Sequence, residues 1–183
     1  MKIAIVVGHT SKLQGAVRRA DGVTEFVWNS DLADKIKQIG GETVGVFFRD
    51  PSLGGRAGIL RAYRAADDWG ADCAIGLHFN SHGDPDAEGA ETLSSGSVSS
   101  RALCDLLQSA MVRALDARDR GVKVRKAGER GAISLLAGRA PAAIVEPYFG
   151  SNPERAKIAD ARKDDLARAI YDAAASFVRG RAA

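Results

Sequence analysis

The sequence is poor in the features of a membrane-spanning protein or a disulfide scaffold. It has only two cysteines, Cys73 and Cys104, and neither belongs to a C-x-x-C pair. Each lies in an apolar run, so we expect buried free thiols rather than a disulfide. No stretch reaches the about 18–20 apolar residues that a transmembrane helix needs, so we expect no membrane insertion through such a helix.

The amino terminus also lacks the parts of an export signal. The opening residues MKIAIVVGHT contain one lysine and a short apolar run. They have neither a long hydrophobic segment nor a small-residue cleavage site. We interpret the apolar run as a first strand, and we expect a protein made in the cytoplasm without a signal peptide.

Signals for nucleic acids and nucleotides are missing too. The 26 Lys and Arg residues against 23 Asp and Glu residues give a net charge of +3, and these charges are scattered along the chain. There is no basic arm with interleaved aromatic residues, so no nucleic-acid partner is expected. The turn Gly8-His9-Thr10-Ser11 matches neither G-x-G-x-x-G nor G-x-x-x-x-G-K-[ST], which disfavours a nucleotide-binding module.

The sequence does contain an alternation of short apolar runs and amphipathic segments. Its 183 residues, 45% hydrophobic and 27% charged, suit one folded domain, taken here as residues 1–183. The pattern predicts strands at about 3–7, 43–48, 72–77, 90–93, 121–124, 133–136 and 142–145. It predicts helices at about 25–39, 55–68, 98–118 and 160–178, with another helix start at Asn152-Pro153-Glu154. This alternation predicts the α/β class, with an open, mostly parallel or mixed sheet of about six strands and helices on both faces.

Three proton-active residues stand where apolar strands are predicted to end. His9 follows the first strand, His78 follows the third and Glu146 follows the last. Function in open α/β sheets gathers beyond the carboxyl ends of the strands, so these side chains are candidates for chemistry. Glu25, at the start of the first helix, can fold back beside His9.

Two histidines and one carboxylate are a standard ligand set for a catalytic zinc ion. A metal in such a set makes water more acidic and polarises a carbonyl group. A second carboxylate outside the set must then take the proton and later return it to the leaving amine, and Glu146 fits that role. Spacing alone does not separate this site from histidines with a structural role.

Four segments of the chain resemble one enzyme family. They are Gly8-His9, Glu25, Ile75-Gly76-Leu77-His78-Phe79-Asn80-Ser81 and Ile144-Val145-Glu146-Pro147-Tyr148-Phe149-Gly150-Ser151-Asn152. In order and spacing they are similar to the zinc-dependent N-acetylmuramoyl-L-alanine amidases of amidase type 3, which include cell-wall remodelling enzymes and phage endolysins. The His-x-Asn and Glu-x-x-Phe-x-x-Asn elements are the specific ones, and the likeness runs from residue 3 to about residue 178.

The resemblance implies a metal-dependent hydrolase with one zinc ion per chain. It implies that the partner is peptidoglycan, and that the enzyme hydrolyses the amide between N-acetylmuramic acid and L-alanine. The matching metal ligands are His9, Glu25 and His78. Glu146 matches the catalytic glutamate, and Asn80 matches an asparagine that shapes the site and is a candidate for substrate binding.

Several other polar residues have two interpretations. Arg49, at the end of the second strand, either contacts substrate or makes a structural salt bridge. His82 is interpreted as an exposed loop histidine rather than a fourth ligand. Glu91 is either a carboxylate that faces the site or a solvated one. The charged run at 118–126 is typical of a solvated face, with contact to an anionic wall polymer as the alternative.

Two other functions are compatible with the residues. A zinc peptidase or other amidohydrolase would use the same metal site, whereas a non-catalytic wall- or nucleotide-binding module would need none. We expect an enzyme that acts on the cell wall, in the periplasm or after lysis, as a phage or prophage lysis enzyme would. The loops are too short for a regulatory helix over the groove, which predicts constitutive activity. The oligomeric state does not follow from the sequence.

Overall fold

Six strands form one mixed sheet. The computed structural model describes residues 1–182, with side chains to residue 181. The strands are β1 (Ile3–Val7), β2 (Val44–Phe47), β3 (Cys73–Leu77), β4 (Ala90–Ser94), β5 (Asp119–Val124) and β6 (Ala142–Glu146). Their order across the sheet is β2-β1-β3-β6-β4-β5, and the pairs are parallel except for β4 with β6. The predicted α/β class with an open mixed sheet is confirmed.

Within residues 1–182, six helices cover the two faces of this sheet. They are α1 (Glu25–Gly40), α2 (Gly55–Trp69), α3 (Val98–Leu115), α4 (Ala132–Leu136), α5 (Pro153–Ala161) and α6 (Lys163–Ala182), and a 3₁₀ turn covers Gly41–Thr43. Helices α1, α3 and α6 share one hydrophobic core with the sheet. Helices α2 and α4 form a smaller core on the opposite face.

The central strands are apolar because both of their faces are covered. All five residues of β1, β3 and β6 are buried. Ile3 and Ile5 of β1 belong to the larger core, whereas Ala4 and Val6 belong to the smaller one. Successive side chains of a strand point to opposite faces, so a continuous apolar run is needed here instead of an alternating one.

Helix α1 shows why its sequence gives clear boundaries. The Thr24 hydroxyl accepts a hydrogen bond from the Val27 N–H at 3.4 Å, as an N-cap side chain does. Gly41 follows the helix with a φ of 54°, a backbone conformation that side chains with a Cβ rarely adopt. The predicted helix at 25–39 is therefore confirmed to within one residue.

One predicted strand is in fact a helix. The sequence predicts a strand at 133–136, but this segment lies within α4. Ala132 and Leu135, three residues apart, are buried on one helical face, whereas Leu136 is exposed. The prediction is wrong because a four-residue apolar run is too short for periodicity to separate a helix from a strand.

The carboxyl-terminal region holds two helices. Asn152 caps α5, since its side-chain oxygen accepts hydrogen bonds from the N–H groups of Glu154 and Arg155, as the sequence predicts. The predicted last helix at 160–178 instead begins at Lys163 and runs to Ala182. The predicted domain extends to Ala183, which lies outside the described residues.

Both thiols are buried and free, as predicted. Burial raises the pKa of Cys73 and of Cys104 to about 12 each, which keeps them protonated and unreactive. Among residues 1–182, no helix is both long and apolar enough to cross a bilayer.

Candidate active site

Three of the predicted site residues converge at the carboxyl edge of the sheet. Glu25 lies between the two histidines: one carboxylate oxygen is 3.0 Å from His9 Nε2 and the other is 2.7 Å from His78 Nδ1. The three candidate ligand atoms all lie within 4.8 Å of one another. This arrangement matches the donor set expected of a catalytic metal site.

The histidines meet because their strands are neighbours. β1 and β3 pair in parallel, with Val7 beside Leu77, so the residues that follow both strands emerge at the same edge. Gly8 allows the close approach: a Cβ there would lie 2.5 Å from the Leu77 carbonyl oxygen and from His78 Cε1. His9 itself has a φ of 65°, uncommon for a residue with a side chain.

The loop before α1 holds Glu25 in place. The Ala16 N–H donates to a Glu25 carboxylate oxygen at 3.2 Å, and the Glu25 N–H donates to the Ala16 carbonyl at 2.8 Å. The same loop is anchored through Arg18, whose guanidinium donates to both carboxylate oxygens of Asp160 at 2.8 and 2.7 Å. These contacts fix the carboxylate before any ligand binds.

The protonation states of Glu25 and His78 are those that metal binding needs. Burial alone would raise the pKa of Glu25, but hydrogen bonds with His78 and His9 outweigh it and hold that pKa well below its usual range. Burial lowers the pKa of His78, although Glu25 opposes the shift. A metal ligand set needs an ionised carboxylate and neutral imidazoles, and both shifts favour those forms.

Glu146 ends β6, the strand next to β3, and its side chain is buried. Burial is the main reason that the pKa of Glu146 rises to about 7, and the charges of Glu91 and Glu25 raise it further. Two cations act in the opposite direction: Arg130, whose Nη2 is 4.0 Å from Glu146 Oε1, and Arg125. A carboxyl group that titrates near neutrality can both accept and return a proton.

A buried network lies directly beside Glu146. Glu91 faces it across the antiparallel β4–β6 pair and is only 6% exposed, so the solvated interpretation is wrong. Its two carboxylate oxygens accept hydrogen bonds from Asn80 Nδ2 at 2.9 Å and from Arg120 Nε at 2.8 Å. The Arg120 guanidinium also stacks on the Phe149 ring, 5.0 Å from its centroid, so this part of the charged run is not a solvated face.

Arg49 reaches the cluster, whereas His82 does not. Arg49 Nη2 lies 3.4 Å from His78 Nε2, and the buried Arg49 Nε has no hydrogen-bond partner within residues 1–182. No salt bridge of Arg49 is found in the same part of the chain, contrary to one of its two interpretations. His82 is exposed, as predicted, and its Nδ1 accepts a hydrogen bond from the Asp84 N–H at 3.1 Å.

These groups open into a cavity of about 180 Å³. Its polar lining is formed by His9, Arg49, His78, Arg130, Ser134 and Glu146, and its apolar lining by Ile59, Leu93 and Ile144. Arg130 is the member that the sequence reasoning missed. It stands in a Gly-flanked charged segment that gives no motif signal, and only the fold brings it to Glu146.

The fold and the site together define a class. This is an open α/β protein with a two-histidine, one-carboxylate cluster at the carboxyl edge of its sheet, and a second carboxyl group of raised pKa lies beside the cluster. Such an arrangement is typical of hydrolases that use a metal ion.

A family model described as N-acetylmuramoyl-L-alanine amidase matches residues 3–176. The chain belongs to this family, amidase type 3, so it is identified as a hydrolase and the predicted enzyme class is confirmed. No curated protein sequence matches it significantly.

Solved structures share the fold over nearly the whole chain. The catalytic domain of CwlV, an N-acetylmuramoyl-L-alanine amidase from Bacillus (Paenibacillus) polymyxa var. colistinus, is 21% identical with a TM-score of 0.81, covering 98% of this chain and 99% of that one. An N-acetylmuramoyl-L-alanine amidase from Clostridium difficile 630 is 20% identical with a TM-score of 0.83, covering 98% of each chain. The catalytic domain of the CD27L endolysin targeting Clostridia difficile is 22% identical with a TM-score of 0.81, covering 96% of this chain and 97% of that one. These likenesses concern the fold.

Proposed function

We propose that this chain hydrolyses the amide between N-acetylmuramic acid and L-alanine in peptidoglycan. One zinc ion per chain is held by His9, Glu25 and His78, and Glu146 is the general base and acid. Family membership supports the amidase chemistry. The observation that carries the site is the convergence of three ligand atoms within 4.8 Å, beside a carboxyl group with a pKa near 7.

The residues fit zinc. Two imidazole nitrogens and a carboxylate are ligands that zinc prefers, and Glu25 already presents one oxygen to each histidine. When bound in such a set, zinc supplies Lewis acidity, which makes water more acidic and polarises the scissile carbonyl. The cluster is buried on the side of Glu25 and half-buried at His9, so it is open to the cavity on one side.

In this proposal, Glu146 transfers a proton from the attacking water to the leaving amine. It removes a proton from the attacking water, whose oxygen forms the new bond to the lactyl carbonyl carbon. As the carbon–nitrogen bond breaks, the same carboxyl group returns the proton to the nitrogen of L-alanine. The products are a lactyl carboxylic acid and a stem peptide with a free amino terminus.

Asn80 and Arg49 complete the proposed site. The Asn80 side chain already bonds to Glu91 and to the Ser81 N–H, which supports a role in shaping the site around substrate. The unpartnered Nε of Arg49 and its position in the cavity lining support contact with a substrate carbonyl. We further propose that residues 1–183 act as one catalytic domain on the cell wall.

Digestion of purified peptidoglycan tests this function. The expected products are stem peptides with new amino-terminal L-alanine, no new reducing sugar ends, and a loss of cleavage when a chelator removes zinc. The Glu146→Gln variant should retain zinc but lose activity by about 10²-fold or more. Reducing ends would indicate a glycosidase, cleavage within the stem peptide would indicate a peptidase, and full activity of metal-free protein would contradict the metal site.

A further inference from the structure

One cation of the cavity is not used by the proposed chemistry. The Arg130 guanidinium lines the cavity with Nη2 4.0 Å from Glu146 Oε1, and it forms no hydrogen bond to any residue in the described range 1–182. Its side chain is 72% exposed. Glu146 is buried, but with Arg130 exposed to solvent and the two groups 4.0 Å apart the pair is screened by water and contributes little to folding.

The loop that carries Arg130 has a defined backbone conformation. The segment 125–131 joins β5 to α4, and Gly128 and Gly131 have φ values of 92° and 86°. A Cβ on Gly131 would lie 3.1 Å from Ile144 Cδ1 and 3.2 Å from Leu93 Cδ1, so the segment is seated against the sheet. Because Gly131 directly follows Arg130, a loop held at Gly131 keeps the Arg130 side chain at the cavity.

The carboxylate nearest in sequence does not neutralise Arg130. Glu129 Oε2 accepts a hydrogen bond from the Lys126 N–H at 2.6 Å, which closes the turn within its own segment. A second cation has the same effect on Glu146, since the charge of Arg125 also lowers the pKa of Glu146. The buried Arg125 Nε has no hydrogen-bond partner within residues 1–182. Of these two cations, Arg130 lines the cavity and Arg125 does not.

We propose that Arg130 binds a carboxylate of the stem peptide, the free α-carboxylate of a γ-linked glutamate that follows L-alanine. This inference rests on the proposed function. The scissile nitrogen belongs to L-alanine, and the next Cα lies about 3.8 Å from the alanine Cα and carries the carboxylate directly. An anion so close to the bond handled by Glu146 is within reach of an exposed guanidinium at 4.0 Å, and guanidinium groups bind carboxylates with paired hydrogen bonds.

Two substrates that differ in one group provide the test. Uncross-linked glycan chains are prepared with the second stem residue either as γ-linked glutamate or as its α-carboxamide, isoglutamine. The wild-type protein should cleave the acid form with a kcat/KM about tenfold higher, since a hydrogen bond to a charged group contributes about that much. In Arg130→Gln the preference for the acid form should disappear, mainly through KM, while loss of the charge beside Glu146 changes kcat/KM for both forms alike. Arg130→Lys should restore part of the preference.

Arg139→Gln is the matched control, because Arg139 is also an exposed guanidinium near a carboxylate, 3.8 Å from Asp67. It should keep the wild-type preference. Equilibrium binding of both substrates to Glu146→Gln, with and without Arg130→Gln, should show the same tenfold difference without turnover. If Arg130→Gln cleaves both substrates with the wild-type ratio of kcat/KM between acid and amide forms, the role of Arg130 is overturned. The proposed function would survive that result. Failure of the wild-type protein to release L-alanine-terminated peptides from either substrate would overturn the proposed function as well.

Discussion

The carboxyl group of Glu146 titrates in surroundings set by burial and four charges. Desolvation raises its pKa most, Glu91 and Glu25 add to the rise, and Arg130 and Arg125 oppose it. The result is a pKa of about 7 instead of the usual value near 4.5. A carboxyl group with a raised pKa becomes an effective base only at higher pH, so activity should fall as the pH is lowered.

We predict that kcat/KM falls about tenfold per pH unit below the apparent pKa of Glu146, because the base must be ionised; the charge of bound zinc places this acidic limb below the value of about 7 that burial sets. A pH–rate profile on peptidoglycan fragments, with zinc held in excess, measures this. A kcat/KM that shows no acidic limb between about pH 4 and about pH 8 would contradict the role of Glu146 as the base.

The neighbouring Glu91 offers a second change at the scale of one residue. Glu91→Gln removes a negative charge opposite Glu146, so the pKa of Glu146 and the acidic limb should both move to lower pH. Arg120 also loses its charged partner, and the free energy of unfolding should fall by about 1–3 kcal/mol.

The control for Glu91→Gln is Glu88→Gln. Glu88 is half-exposed and only approaches Arg155, at 4.0 Å, so neither the pH profile nor the stability should change measurably. An acidic limb that stays in place in Glu91→Gln would show that Glu91 does not influence the base.

At the scale of elements, the site depends on how closely the ends of β1 and β3 approach. Gly8→Ala would place a Cβ 2.5 Å from the Leu77 carbonyl oxygen, and the Gly8 N–H bonds to that same oxygen at 3.0 Å. We predict a loss of about 1–3 kcal/mol of stability and a weaker affinity for zinc, since the two strands must separate. Urea unfolding and zinc titration measure the two effects.

A glycine in open space provides the comparison. Gly55, the first residue of α2, has nothing within 4 Å of an added Cβ, and Gly55→Ala should be neutral or stabilising by up to about 1 kcal/mol. Equal effects of the two substitutions would show that strand proximity at Gly8 does not matter.

Some helices and strands can be predicted from the sequence and others cannot. β1 and α1 are predictable because a continuous apolar run and a capped, periodic segment each have one structural solution. α4 is not, because its apolar run is too short to show a period. His9, His78 and Glu146 are found from the sequence because each directly follows an apolar run.

Residues brought in by tertiary contacts are a different case. Glu91 is paired with Arg120 through the register of β4 and β5, and Arg130 reaches Glu146 through the path of a loop. Neither relation leaves a periodic or motif signal in the sequence. Such partners become visible only when the strand order is known.

At the scale of the whole molecule, the cluster joins parts of the chain that are far apart in sequence. Its residues come from the ends of β1 and β3 and the start of α1, so the unfolded chain has no preformed site. A ligand that binds only the folded state stabilises it. A metal ion held by this cluster would therefore stabilise the whole fold.

We predict that chelation of zinc lowers Tm. Zinc at about 100 times its Kd contributes about 2.7 kcal/mol, which corresponds to a fall of about 5–10 °C for a chain of this size. Thermal unfolding with and without chelator measures the shift. His78→Ala should show no response to the chelator, and an unchanged Tm of the wild-type protein would contradict the linkage.

The most direct measurement is zinc content per chain in histidine variants, since only two of the three histidines of the chain belong to the cluster. After dialysis against metal-free buffer, the wild-type protein and His82→Ala should each hold one zinc ion, while His9→Ala and His78→Ala should hold almost none. Equal zinc content in all four proteins, or loss of zinc in His82→Ala, would contradict the assignment of the metal to the cluster of His9, Glu25 and His78.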